Sequence, residues 1–316
     1  MERMAFLCYD NHIMTNAKKT IVALLSIGVI VLIFSVFRPR NDARPENSNK
    51  MLVTASFYPL AYLAESIGGN KIEVINLTPS GAEPHEFEPS PRDIAKMEQS
   101  KILIVNGLGL EPWFENIKKN IDPKKTNIMI AGADIAGKEE TKDPHVWLSP
   151  SHMKTIAERI KTSFVKADPM NEVYYRTRLQ TLDEKLDALD SEFRLGLMDC
   201  AHREIVTSHT AFKYMAEDYG LTQIPIAGLS PDAEPSPKEL GEIVNFVKEH
   251  NITYIFFESL VSPKLADTIA TEAGVKTLVL NPLEGLTKKE GEERKDYISI
   301  MRENLANLQT ALSCTK

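Results

Sequence analysis

Gly81-Ala82-Glu83-Pro84-His85-Glu86-Phe87-Glu88-Pro89-Ser90-Pro91 places one imidazole, His85, in a loop bounded by glycine and proline. The loop follows the apolar run 72–77 and ends at a helix start, Ser90-Pro91. Serine at an N-cap accepts an orphan amide, and proline at the first helical position has no amide to lose. A side chain in such a loop sits at the carboxyl end of a strand, where open α/β sheets bind their ligands. Two other segments repeat the grammar. His145 stands four residues before Ser149-Pro150, and Glu258 stands four residues before Ser262-Pro263. A further imidazole, His209 in Val206-Thr207-Ser208-His209-Thr210-Ala211-Phe212, also lies where an apolar run gives way to a helical pattern.

Outward from these loops the chain alternates short apolar runs with helical patterns. Strands are expected at 51–56, 72–77, 101–105 and 127–131, then at 204–207, 223–226, 253–257 and 277–280. The intervening segments carry helix signals, among them the capping box Ser236-Pro237-Lys238-Glu239. Strands that alternate with helices imply parallel sheets covered on both faces. Between the two sets, residues 170–195 contain neither glycine nor proline, and Val173, Leu179, Leu182, Leu186, Leu189 and Phe193 recur mostly at helical spacing. The expected fold is therefore α/β, with two Rossmann-like lobes joined by a long rigid helix and a cleft between them. The expected division is an N-terminal extension over 1–50, a first lobe over 51–168, a linking helix over 169–200 and a second lobe over 201–316. One closing helix is expected over 288–312.

The N-terminal 50 residues are of another kind. Lys18-Lys19 precede residues 21–37, a run of 17 residues without a charge, and Arg38, Arg40 and Arg44 follow it. A basic flank and an apolar run of this length read as an export signal or a single membrane anchor. No small-x-small cleavage site adjoins the run, which favours an anchor, and an extracytoplasmic location follows. Residues 1–50 hold 7 of the chain's 37 basic and 4 of its 44 acidic groups, leaving 30 and 40, a net charge of −10 for the body. That balance argues against nucleic acid as a partner and suits a cation. Cys8 precedes the run, whereas Cys200 and Cys314 follow it and are able to pair in an oxidising compartment. No Cys-x-x-Cys is present, so nothing supports a thiolate zinc site.

Three imidazoles and one carboxylate, two from each lobe, suit tetrahedral Zn²⁺, whereas an oxygen-rich set would suit Mn²⁺. The segments 81–91, 143–150, 208–221, 228–240 and 256–258 resemble the zinc-uptake members of the metal-specific solute-binding proteins of ABC transporters. The resemblance spans residues 51–314. It implies metal captured in the inter-lobe cleft by His85, His145, His209 and Glu258, and delivery of Zn²⁺ to an ABC permease driven by its ATPase subunit. Histidine at 209, where manganese members carry a carboxylate, implies zinc. The chain departs from the family in lacking a histidine-rich loop over 133–142 and a lipid-acceptor cysteine after the apolar run.

Three rival readings remain at this level. A solute-binding protein for manganese or another divalent ion, or a metal-dependent adhesin, would use the same fold. A zinc hydrolase would need an open coordination position, and His85-Glu86-Phe87-Glu88 does not complete the His-Glu-x-x-His pattern. With Glu258 as fourth donor no position is left for a reactive water, so the expectation is a binding protein rather than an enzyme.

Overall fold

The structure, a computed structural model, describes residues 50–135, 143–231 and 235–315. The apolar run 21–37, its basic flanks and Cys8 lie outside them. Among the described residues no helix is long and apolar enough to cross a membrane.

The first lobe opens with β1 (Met51–Ala55), α1 (Tyr58–Gly68), β2 (Ile72–Asn76) and α2 (Pro91–Gln99). It continues with β3 (Ile102–Val105), α3 (Phe114–Ile117), β4 (Asn127–Ile130) and α4 (Pro150–Ala167). Its four strands are all parallel, in the order β2-β1-β3-β4. The serine-proline signals act as the residue types require. Ser90 accepts from the Asp93 amide in a reciprocal capping box that opens α2, and Ser149 accepts from the His152 amide at the start of α4.

The second lobe repeats the plan with β5 (Glu204–Thr207), α6 (Lys213–Tyr219), β6 (Thr222–Pro225), α7 (Pro237–Glu249), β7 (Tyr254–Phe257), α8 (Lys264–Ala273) and β8 (Lys276–Val279). Its order is β6-β5-β7-β8, again all parallel. In both sheets the chain steps one way to the second strand and crosses back for the third. This reversal opens a crevice at the carboxyl ends of the strands.

Between the lobes runs α5 (Glu172–Gly196), 25 residues and about 37 Å long at ~1.5 Å per residue. Its buried stripe of Tyr175, Leu179, Leu182, Leu186, Leu189 and Phe193 belongs to one continuous core that takes in residues of both lobes. Ion pairs reach from it to Lys154 on α4 through Asp187, and to Arg302 through Glu192.

The chain closes differently from expectation, with two helices, α9 (Lys288–Glu292) and α10 (Tyr297–Ala311). The break has a local cause: Arg294 adopts a left-handed φ of 56°, and Asp296 caps α10 by accepting from the Ser299 amide. At the opposite end of the sheets from the crevice, Cys200 and Cys314 form a disulfide, joining the segment after α5 to the chain's end.

Candidate metal centre

Three expected residues meet in the crevice. His85 follows β2, His145 precedes α4, and His209 lies two residues beyond the end of β5. Nε2 of His145 is 3.2 Å from Nε2 of His85 and 3.2 Å from Nε2 of His209. The fourth atom facing them is Oε1 of Glu284, 3.4 Å from each of the three nitrogens. Four donors bound at about 2.0–2.1 Å around a tetrahedral ion stand about 3.3–3.4 Å apart. His145, His209 and Glu284 are buried, and His85 is the most open of the four. Among the described residues this is the only group of histidine, cysteine or acidic side chains spaced to share an ion.

Glu258 is placed differently from its expected role as fourth donor. Its Oε1 accepts both the ring Nδ1–H of His209, at 2.7 Å, and the backbone N–H of the same residue, at 3.2 Å. Asp143 treats His145 alike, its Oδ1 accepting ring Nδ1–H at 2.7 Å and backbone N–H at 2.9 Å. A carboxylate on Nδ1 fixes the ring so that Nε2 is presented to the shared point. The fourth atom facing the shared point comes from the β8 exit, Asn281-Pro282-Leu283-Glu284-Gly285. This exit shares the strand-to-loop placement of the others but lacks the serine-proline helix start that follows His85 and His145. An acidic residue just past the last strand of a parallel lobe was the available signal.

The carboxylates and imidazoles hold one another's charge. Burial alone would lower the His209 pKa, but the bond to Glu258 and the nearby Glu284 carboxylate outweigh it and push it up to about 10. His145 is raised too, as Asp143 and Glu284 outweigh burial. Burial would raise Glu284, yet contacts with the three imidazoles hold its carboxyl well below the usual range. Neither oxygen of this buried carboxylate makes a hydrogen bond. Such a group is costly to bury unless a cation meets it, and the donor set fits one. Glu83 is partly buried, with Oε1 accepting the His85 amide and burial beside Glu284 pushing it up to about 9. Glu86 and Glu88 are exposed. Trp147 packs beside the site, its ring 5.2 Å from that of His145, whereas Phe87 packs into a separate cluster under α2.

A family model described as zinc-uptake complex component A, periplasmic (ZnuA), matches residues 53–311. The chain belongs to that family. The zinc-binding protein AdcA of Streptococcus pyogenes serotype M18 is 37% identical over 318 residues, covering 92% of this chain and 61% of that protein. The high-affinity zinc uptake system protein ZnuA of Bacillus subtilis is 39% identical over 281 residues, covering 84% of this chain and 88% of that protein. Among solved structures, the Zn(II)-bound ZnuA-like domain of Streptococcus pneumoniae AdcA superposes with a TM-score of 0.75 at 38% identity, covering 83% of this chain and 99% of the domain. The chain thus spans 61% of the length of the streptococcal relative and nearly the whole of the ZnuA-like domain. The two-lobed ZnuA-family architecture, with its long helix, is the one described above.

Proposed function

We propose that this protein captures Zn²⁺ outside the cytoplasm and delivers it to an ABC permease, with its ATPase subunit, for import. The observation that carries the reading is the set of four donor atoms at 3.2–3.4 Å, three imidazole nitrogens and one carboxylate oxygen, facing one point. His85, His145, His209 and Glu284 are the proposed ligands, with Asp143 and Glu258 orienting two of the rings. Nitrogen predominance favours zinc over manganese, and four side-chain donors complete a tetrahedron without a water, which favours carriage over hydrolysis. The zinc-binding names of the relatives and the family description support the same cargo. Residues 21–37 are proposed as the membrane anchor, on the strength of their composition and basic flanks. The working division of the exported part is 51–168, 169–200 and 201–316.

Competitive titration of the full chain against a zinc chelator tests capture. One zinc per chain is expected, with His209→Ala weakening it at least about tenfold through loss of a donor. Unchanged affinity in that variant would refute the assignment. Zinc accumulation by cells lacking the protein tests delivery, and a deficit under zinc limitation is the expected result.

A further inference from the structure

Glu284 belongs to the second lobe, yet the loop that presents it is fastened to the first. The Trp147 indole N–H donates to the Pro282 carbonyl at 2.7 Å, two residues before Glu284. Ser80 Oγ and the Gly81 amide both donate to the Leu286 carbonyl, at 2.6 and 2.9 Å, two residues after it. Each fastening comes from a segment that also carries a ligand histidine, Trp147 being two residues from His145 and Gly81 four from His85. Trp147 is itself fully buried, edge-on to Phe57, and its own carbonyl accepts from Tyr297 Oη of the second lobe at 2.8 Å.

The fastened loop is one the chain would not adopt unaided. Leu283, immediately before Glu284, has φ of 57°, the left-handed region that a branched side chain avoids. Its amide donates to Asn281 Oδ1 at 2.8 Å, and Asn281 is clamped on both backbone groups by Asn304. Strain of this kind persists where surrounding contacts over-determine it, and here those contacts surround a ligand.

We propose that Trp147 is a positioning residue for the metal: its indole N–H pins Pro282 so that the strained Leu283 turn aims Glu284 Oε1 at the three imidazoles. The inference rests on the metal-carrier reading. It makes the fourth donor conditional on first-lobe contacts, so the cage is complete only when the two lobes are joined at this loop.

The test is a double-mutant cycle on the full chain, read by competitive zinc titration and by the visible spectrum of the Co²⁺-loaded protein. Trp147→Phe keeps an aromatic ring and removes the N–H. It is expected to weaken zinc about ten- to a hundredfold, the usual cost of losing an outer partner of a ligand. It should also change the Co²⁺ spectrum in the direction of Glu284→Gln. In the Glu284→Gln background the same substitution should change affinity less than about threefold, because the charged carboxylate it positions is gone. An equal loss in both backgrounds would make Trp147 a core residue only and overturn the proposal. If Trp147→Phe fails to fold by circular dichroism, Ser80→Ala takes its place, removing one donor to the Leu286 carbonyl. A loss that vanishes with Glu284→Gln supports the proposal, and one that persists overturns it. Wild-type protein that binds no zinc overturns the carrier reading itself. Zinc-binding protein with uncoupled Trp147 overturns this inference alone.

Discussion

Glu258 Oε1 holds His209 by two nitrogens at once, the ring Nδ1–H at 2.7 Å and the backbone N–H at 3.2 Å. The relationship separates the two glutamates of the second lobe, one aiming a ring and the other, Glu284, facing the three imidazole Nε2 atoms at 3.4 Å. Glu258→Ala should weaken zinc by about ten- to a hundredfold while leaving four protein donors on the metal. Glu284→Ala should remove a donor, so the coordination shell gains a water. Co²⁺ spectra of the two variants check the distinction, and identical spectra would contradict it.

Asp143 repeats this arrangement in the first lobe. Asp143→Ala is therefore expected to cost zinc affinity on the same scale, about ten- to a hundredfold. Competitive titration measures it. Asp143→Asn should cost less, since its amide oxygen can still accept from the His145 ring.

The disulfide Cys200–Cys314 closes a loop of 114 residues, joining the segment ahead of β5 to the segment after α10. A cross-link of that span removes much freedom from the unfolded chain, and its loss typically costs about 2–5 kcal/mol. Cys314→Ser should lower the unfolding midpoint in denaturant accordingly and leave zinc affinity within about twofold. A stability loss without an affinity loss is the expected pairing.

Glu192 on α5 receives both Arg302 Nε and Nη2, at 2.8 and 2.7 Å, and tethers α10 to the long helix. The Arg302 bond holds the Glu192 carboxyl below its usual range. A depressed carboxyl contributes stability that is present above its unfolded pKa and is lost as pH falls through the folded value. Both side chains are partly exposed, so the pair contributes no more than about 1 kcal/mol after solvent screening. Glu192→Gln should therefore unfold slightly earlier than wild type at neutral pH, and the difference should shrink as pH falls through the folded Glu192 pKa. A difference that persists in acid would assign the effect to packing.

Much of this was legible in the residues because the fold speaks through local chemistry. Short apolar runs set between helical patterns marked all eight strands, and serine-proline starts marked the helices behind the loops of His85 and His145. The three histidines stood out by their joint placement at strand exits of both lobes, since any one of them alone reads as an ordinary loop or core histidine. Glu258 shared that grammar, and its exchange with Glu284 shows where pattern stops. Both are acidic residues just past a parallel strand of the second lobe, and only the path of the 281–286 loop decides which one faces the three imidazoles. That path depends on Trp147 and Ser80 from the first lobe and on Asn304 from α10, contacts separated by 23 to 206 residues. The break between α9 and α10 escaped for a related reason, since Arg294 has no sequence mark of a left-handed residue.

X-ray absorption at the zinc edge of the loaded full chain tests the central claim most directly. The account predicts a four-coordinate shell of three nitrogens and one oxygen at about 2.0–2.1 Å, with the oxygen shell altered in Glu284→Ala and unaltered in Glu258→Ala. A six-coordinate, oxygen-dominated shell, or one unchanged when Glu284 is removed, would contradict it.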